Sequence, residues 1–384
     1  MLSPEVTLCI PAWQSEQFIE ETLGYAQRQS YPNLRILVSV DQCDDNTALI
    51  CQRIADSDPR VKVLVQEKRL GWAGNVNFLL QQVRSPLFAL YWHDDIIGPR
   101  WVEILARAMI GNSQVVAAYG STRHFGSHDY HDLSGRPLLG QTAERLIEVL
   151  INPELLGLTR CMIRKEIIDL GLTIPQLDGR DYFENNHPYW LQILASGQIL
   201  YIPEAEYNRR NGIGSSVVDG WLRLPQSQVL LDMRKNVSDC MQIITDSISD
   251  PTELVAVTYC LYLFILRRLR LFELNHNQAS SPIEMSELSE AFKELQQIEL
   301  VDQFDQQQLR GVTEALSDIF FLEGKYWQAA KAWNKALAKF TAAMAIQNHT
   351  NNCSTEIADC LLNLDYTEES RAITAQHKSF GNEP

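Results

Sequence analysis

The 384-residue sequence is short of pairable cysteine, of basic charge and of long apolar runs. Its eight cysteines form no C-x-x-C pair and no closely spaced ladder. That pattern argues against a zinc site and a disulfide framework, and predicts reduced, largely buried thiols. The longest apolar stretch, Leu254–Leu266, falls short of the roughly 20 residues that cross a bilayer, so no transmembrane segment is expected. No basic segment leads into an apolar run at the N-terminus. A secretory signal is therefore not expected, and the setting reads as cytoplasmic. A formal net charge of −15 argues against non-specific binding to nucleic acid. Any phosphate-bearing ligand has to be met by local groups or by a metal ion.

What is there is a first half in which strand and helix patterns alternate. Val6–Ile10, Arg35–Val40, Val61–Val65, Leu87–Trp92 and Val115–Tyr119 are short apolar runs. Helical spacing falls between them: Phe18, Ile19, Leu23 and Ala26; then Thr47–Ala55; then Val76, Leu79, Leu80 and Val83; then a helix started by Pro99. This alternation predicts an α/β fold with a mostly parallel, doubly wound sheet covered on both faces. From about Pro225 the strand patterns stop and long amphipathic helical patterns follow. The expected domains are 1–224, carrying the sheet, and an all-α domain over 225–384.

Ligands of doubly wound sheets bind outside the carboxyl ends of the strands, so acids there carry weight. The second strand runs into Asp41-Gln42-Cys43-Asp44-Asp45, and the fourth into His93-Asp94-Asp95. A hard cation, Mg2+ or Mn2+, would offset the repulsion of Asp94 and Asp95 and accept diphosphate oxygens. The alternative, capping of the next helix, needs one carboxylate rather than two.

Over Thr7 to about Ser216 these segments, in this order, resemble a family 2 glycosyltransferase of the glycosyltransferase-A fold. The resemblance is carried by Ile10-Pro11-Ala12-Trp13, Gln29–Asn33, Val40–Thr47, Leu70–Asn77, His93-Asp94-Asp95 and Tyr201–Glu204 with Arg209, Arg210 and Ser215. It implies an inverting transfer of a sugar from a nucleotide-diphosphate sugar, UDP-linked, to a glycan, lipid-linked or protein acceptor. It implies that Asp41 reads the base, that Asp95 is the metal ligand and that Asp94 faces the sugar or ribose. Pro11, Ala12, Trp13, Glu16 and Asn77 would line the nucleotide site. Lys68 and Arg69 would meet the phosphates or form a solvated loop. Trp13 would flank the base or serve only in packing.

One part departs from the family pattern. Register from Trp190 and Gly197 puts Asn185 and Asn186 where an acidic pair holds the base, and an amide takes no proton near neutral pH. Three readings follow. Glu184 serves from one residue away; Asp181 or His187 serves instead; or the site binds donor without transfer, as a nucleotide-sugar-binding scaffold. A sugar-phosphate nucleotidyltransferase is disfavoured because Pro11–Ser15 has neither glycine nor arginine to hold a triphosphate.

In the second half, Gly324–Ala330 with Trp333, Ala336 and Leu337 resembles the second helix of a tetratricopeptide repeat, with Leu316 and Phe320 on the first. A generic helical hairpin is the alternative, and the repeat reading implies a protein partner or self-association. Leu254–Leu274 carries Arg267, Arg268 and Arg270. It reads either as a core helix or as a segment lying on the inner face of a membrane.

Overall fold

The computed structural model describes residues 3–127, 129–152, 159–212, 223–276, 333–346 and 353–364, with positions 321, 325, 328 and 331. The chain forms two compact units. The first holds Met1–Val149 and Glu154–Ser249; the second holds Leu150–Pro153 and Asp250–Pro384.

The strands are β1 (Val6–Ala12), β2 (Leu34–Val40), β3 (Val61–Val65), β4 (Leu87–Leu90), β5 (Ile96–Ile97), β6 (Val115–Tyr119), β7 (Thr122–Gly126), β8 (Tyr130–Asp132), β9 (Met162–Arg164), β10 (Gln198–Tyr201) and β11 (Tyr207–Asn211). The helices are α1 (Ile19–Gln27), α2 (Thr47–Ser57), α3 (Gly71–Gln82), α4 (Trp101–Met109), α5 (Thr142–Ile151), α6 (Glu166–Asp169), α7 (Asn186–Ser196) and α8 (Gln226–Ser247).

The main sheet has the order β10-β6-β9-β4-β1-β2-β3. It is parallel except for β9, which runs antiparallel to β4 and β6. Every residue of β1 is buried, which is why this strand reads as an unbroken apolar run rather than an alternating one. Chain order reverses at β1, with β2 on one side and β4 on the other. That switch point is where a crevice opens. Ala12 pairs with Val40, so the ends of β1 and β2 are level, and the Asp41 N–H donates to the Ala12 carbonyl (2.9 Å). A smaller sheet, β5-β11-β7-β8, folds beside this rim. Its strands are short and, apart from the two isoleucines of β5, largely polar, Thr-Arg-His-Phe-Gly in β7, and the sequence pattern does not reveal them.

Two expectations shift. The domain limit expected at residue 224 and the observed division at Ser249 differ by one helix: α8 packs on α7 and belongs with the sheet unit. In the second unit, the apolar run that begins at Leu254 lies in α9 (Pro251–His276), where Ala256, Val257, Cys260, Leu261, Leu263, Phe264 and Ile265 are buried. That burial matches the core-helix reading and leaves these residues no apolar face for a membrane. The other described helices of this unit, α10 (Trp333–Ile346) and α11 (Cys353–Asn363), pack through Ala336, Phe340, Ala343, Cys353, Ile357 and Cys360. The helix expected to run on through Trp333 is interrupted at Lys331, which has φ +56°. Gly324, Tyr326, Trp327, Leu316 and Phe320 lie outside the described residues. All eight cysteines are free thiols, and seven of them are buried.

Candidate active site

The rim between β1 and β4 carries His93, Asp94 and Asp95. A carbonyl only accepts, so the His93 Nδ1 contact with the Pro11 carbonyl (3.0 Å) places the proton on Nδ1 and leaves Nε2 as an acceptor in the neutral ring. Asp95 is 2 % exposed and its carboxylate is already engaged. Oδ1 accepts the Arg210 N–H (2.9 Å) and Oδ2 meets Arg160 Nε (3.3 Å). The Asp95 carbonyl lies 2.9 Å from the Thr22 hydroxyl, as does that of His93. Arg210 is fixed in turn. Its guanidinium lies over Phe18 and Phe125, donates to the Asp94 carbonyl and pairs with Glu21.

Asp94 differs. It is half-buried, and its carboxylate has no hydrogen-bond or ion-pair partner in another described residue. Burial, then the neighbouring Asp95, pushes its pKa up, opposed by His93 and Arg160. Such a carboxylate feels nearby positive charge but is held by no direct ion pair with a described residue. Asp95, the expected metal ligand, is engaged by Arg160 and the Arg210 amide, whereas the Asp94 carboxylate makes no hydrogen bond to another described residue. Among the described residues no group of three or more His, Cys, Asp or Glu could enclose a metal ion. A cation here would rest on Asp94 and on ligand oxygens. The residues fit that arrangement, since Asp94, half-buried and without a hydrogen-bond partner in another described residue, gains from it.

Two other expected site residues meet on α3. The Asp41 carboxylate accepts the N–H groups of Gln42 (3.0 Å), Leu70 (2.8 Å) and Gly71 (3.0 Å), and meets Arg69 Nη1 at 3.4 Å. The Asp181 carboxylate accepts those of Trp72 (2.8 Å) and Ala73 (3.0 Å). Two acids therefore satisfy all four amides that a helix start leaves unpaired. Gly71 has φ +76°, and a Cβ there would lie 3.0 Å from Asp181 Oδ2. Only glycine both turns the chain here and leaves room for the carboxylate. Asp181, a candidate for the base, is thus tied to the start of α3. Arg69, the longest of Asp41's contacts, also covers the Trp13 ring at 3.6 Å.

The third cluster is Glu184 and His187, each with a 3 % exposed side chain and 3.2 Å apart, Oε2 to Nε2. Glu184 sits at φ +55° in the turn before α7. The remaining expected residues are placed as follows. Asn77 clasps Ile174 through both its amide groups (2.8 Å each). Glu16 accepts from the backbone and side chain of Asn46. The Pro11 and Ala12 carbonyls are used by His93 and Asp41. Lys68 is exposed. Sequence reasoning missed Arg160, Thr22 and the α8 side chains, whose partners lie far away along the chain.

A doubly wound sheet with acids gathered at its switch point suits a nucleotide-sugar ligand, and comparison with known proteins points to a glycosyltransferase. Residues 7–170 match the family model described as Glycosyl transferase family 2. An uncharacterised glycosyltransferase of Haemophilus influenzae is 30 % identical over 114 residues, 30 % of this chain and 35 % of its own length. The UDP-Glc:alpha-D-GlcNAc-diphosphoundecaprenol beta-1,3-glucosyltransferase WfgD of Escherichia coli is 22 % identical over 249 residues, 64 % of this chain and 87 % of that protein. The matches span about a third of the length of the first curated relatives, 35 % for each of two. Among solved structures, S. aureus TarS 1-349 superposes with a TM-score of 0.56 at 13 % identity, over 90 % of this chain and 88 % of that one. Residues 7–170 are a glycosyltransferase family 2 domain, in a fold of the glycosyltransferase-A kind.

Proposed function

We propose that the chain is an inverting glycosyltransferase that moves a sugar from a UDP-sugar to an acceptor hydroxyl. The observation that carries this reading is the half-buried Asp94 carboxylate at the switch point, beyond the end of β4 on one side of β1, with Asp41 beyond the end of β2 on the other. The uridine donor is supported by the Escherichia coli relative, named for UDP-Glc, and by TarS, solved in complex with UDP-GlcNAc.

In this reading Asp94 holds a Mg2+ or Mn2+ ion. When bound, that ion supplies the positive charge that stabilises the departing nucleoside diphosphate. The protein's residues do the rest. Asp95, clamped between Arg160 and the Arg210 amide, keeps Asp94 at the rim. The imide N–H of uracil takes the place of Arg69 on Asp41, beside Trp13. The Glu184–His187 pair accepts the proton of the acceptor hydroxyl as the sugar transfers in a single displacement. The acceptor is a glycan, a lipid-linked sugar or a protein. A lipid-linked one would bring the chain to the cytoplasmic face of a membrane; no described helix is long and apolar enough to cross one.

The test is calorimetry of UDP with the purified protein, followed by UDP release from UDP-glucose and UDP-GlcNAc with Mn2+. Binding together with release from at least one donor is expected. Binding without any release would make the protein a nucleotide-sugar binder, as Asn185 and Asn186 allow, and absence of binding would sink the reading altogether.

Asp41 has a separate expected outcome. Asp41→Asn removes charge from the start of α3 and leaves one oxygen to serve several amides. It should lower the melting temperature, at a cost of about 1–2 kcal/mol for a lost cap. It should also weaken UDP more than CDP, which lacks the imide N–H, as measured by calorimetry. Equal losses for UDP and CDP would make Asp41 purely structural.

A further inference from the structure

Helix α8 lies beyond the matched family segment and presents a buried polar stripe to the loop that carries the proposed base. Asp232, Asn236 and Asp239 recur at helical spacing on one face. Asp232 takes Arg180 through both terminal nitrogens (2.7 and 3.3 Å) and accepts the Phe183 N–H (3.0 Å). Asp239 accepts the Tyr182 hydroxyl (2.7 Å). Asn236 donates to the Glu184 carbonyl (2.6 Å) and holds its Oδ1 3.3 Å from His187 Nδ1. Asp232 and Asn236 are both fully buried. A polar face so buried costs desolvation, which its hydrogen bonds must offset, and what it fixes is one conformation of this loop. Glu184 in particular keeps a left-handed backbone, which costs a non-glycine residue about 1 kcal/mol or more unless its surroundings hold it.

The protons follow from these contacts. The Asn236 amide is oriented by its nitrogen, which faces the Glu184 and Phe183 carbonyls. Its oxygen therefore faces His187 and can only accept, so His187 carries a proton on Nδ1. Nε2 is then left to the Glu184 carboxylate at 3.2 Å. The two atoms stand at ion-pair distance, though Oε2 accepts no hydrogen bond from a described residue in this geometry, so a proton on Nε2 would set imidazolium beside carboxylate.

We propose that Asn236 is the positioning residue of the Glu184–His187 pair. It fixes the tautomer of His187, turns Nε2 onto Glu184 and anchors the Glu184 backbone. The inference rests on the reading of that pair as proton acceptor in sugar transfer. The logic is that of any imidazole whose far nitrogen is fixed by a buried partner so that the near one faces its task.

The experiment uses the full chain, 15N-labelled at histidine, with Asn236→Leu and Asn236→Asp. Leucine removes both hydrogen bonds. Aspartate keeps an acceptor for Nδ1–H and loses the donor to Glu184. Long-range 1H–15N spectra, with His187→Gln for assignment, should show Nδ1 protonated in the wild type and in Asn236→Asp, and a move toward Nε2–H in Asn236→Leu. With UDP-glucose or UDP-GlcNAc, whichever is turned over, kcat for Asn236→Leu should fall about 10–100-fold, within the worth of a general base. KM and UDP affinity should stay near wild type. Asn236→Asp should recover about tenfold of that loss. Nδ1 unprotonated in the wild type, or wild-type kcat in a folded Asn236→Leu that still binds UDP, overturns the inference and leaves the functional reading intact. Absence of turnover by the wild type overturns both.

Discussion

Glu184→Gln is expected to lower turnover of the sugar donor by about 10²–10⁴-fold, the usual contribution of general base catalysis, with UDP affinity nearly unchanged. Glutamine keeps the shape of the side chain and removes its basicity. The site is specific enough for this comparison. Glu184 is 3 % exposed and has His187 Nε2 3.2 Å away. Asp181, the other acid of the segment, is committed to the amides of Trp72 and Ala73. His187→Gln is the paired variant, read in the same steady-state assay. Comparable losses in the two variants indicate that the pair acts as a unit, in which case their effects do not add. A loss confined to His187→Gln moves the proton acceptor to the imidazole. If neither variant changes kcat while the wild type turns over, the base lies outside this pair and the assignment is wrong.

The second large effect separates Asp94 from Asp95. Asp94→Asn should abolish the gain in UDP affinity that Mn2+ gives the wild type, read by calorimetry with Mn2+ and with EDTA. It should leave the melting temperature unchanged or slightly raised, because burial and Asp95 already disfavour the ionised form of Asp94. Asp95→Asn should do the reverse and destabilise the fold. Its carboxylate is 2 % exposed and faces Arg160, whose side chain is only 17 % exposed. Removing one member of a buried pair costs about 3–5 kcal/mol because the other charge is left uncompensated. If Asp95→Asn loses the Mn2+ response at full stability while Asp94→Asn keeps both, the two roles are interchanged.

How much of this was legible in the sequence depends on range. The apolar runs of β1, β2, β4 and β6 give the core of the sheet, because a strand buried on both faces needs no alternation to be recognised. The rim acids Asp41, Asp94 and Asp95 follow from strand ends alone. The division of labour between Asp94 and Asp95 does not. It depends on Arg160, 65 positions away, and on the amide of Arg210, 115 positions away. The same holds for His187 and Asn236, 49 apart. Periodicity identifies α8 as a helix but not the body it packs on, which is α7 and the sheet unit. The polar strands β7 and β11 carry no apolar signature, and their pairing comes from tertiary placement.

The start of α3 bears on how this fold handles phosphate. Many doubly wound proteins seat a pyrophosphate directly on the first turn of a helix, where free amides and the dipole attract it. Here that seat is taken by the protein's own acids, Asp41 and Asp181, one pair of amides each. At α3 an incoming diphosphate meets negative charge instead of positive. In the proposed reading a bare nucleotide anion would be repelled at this helix start and a counter-ion would ease its entry, so that donor capture would follow the supply of free divalent cation rather than the backbone.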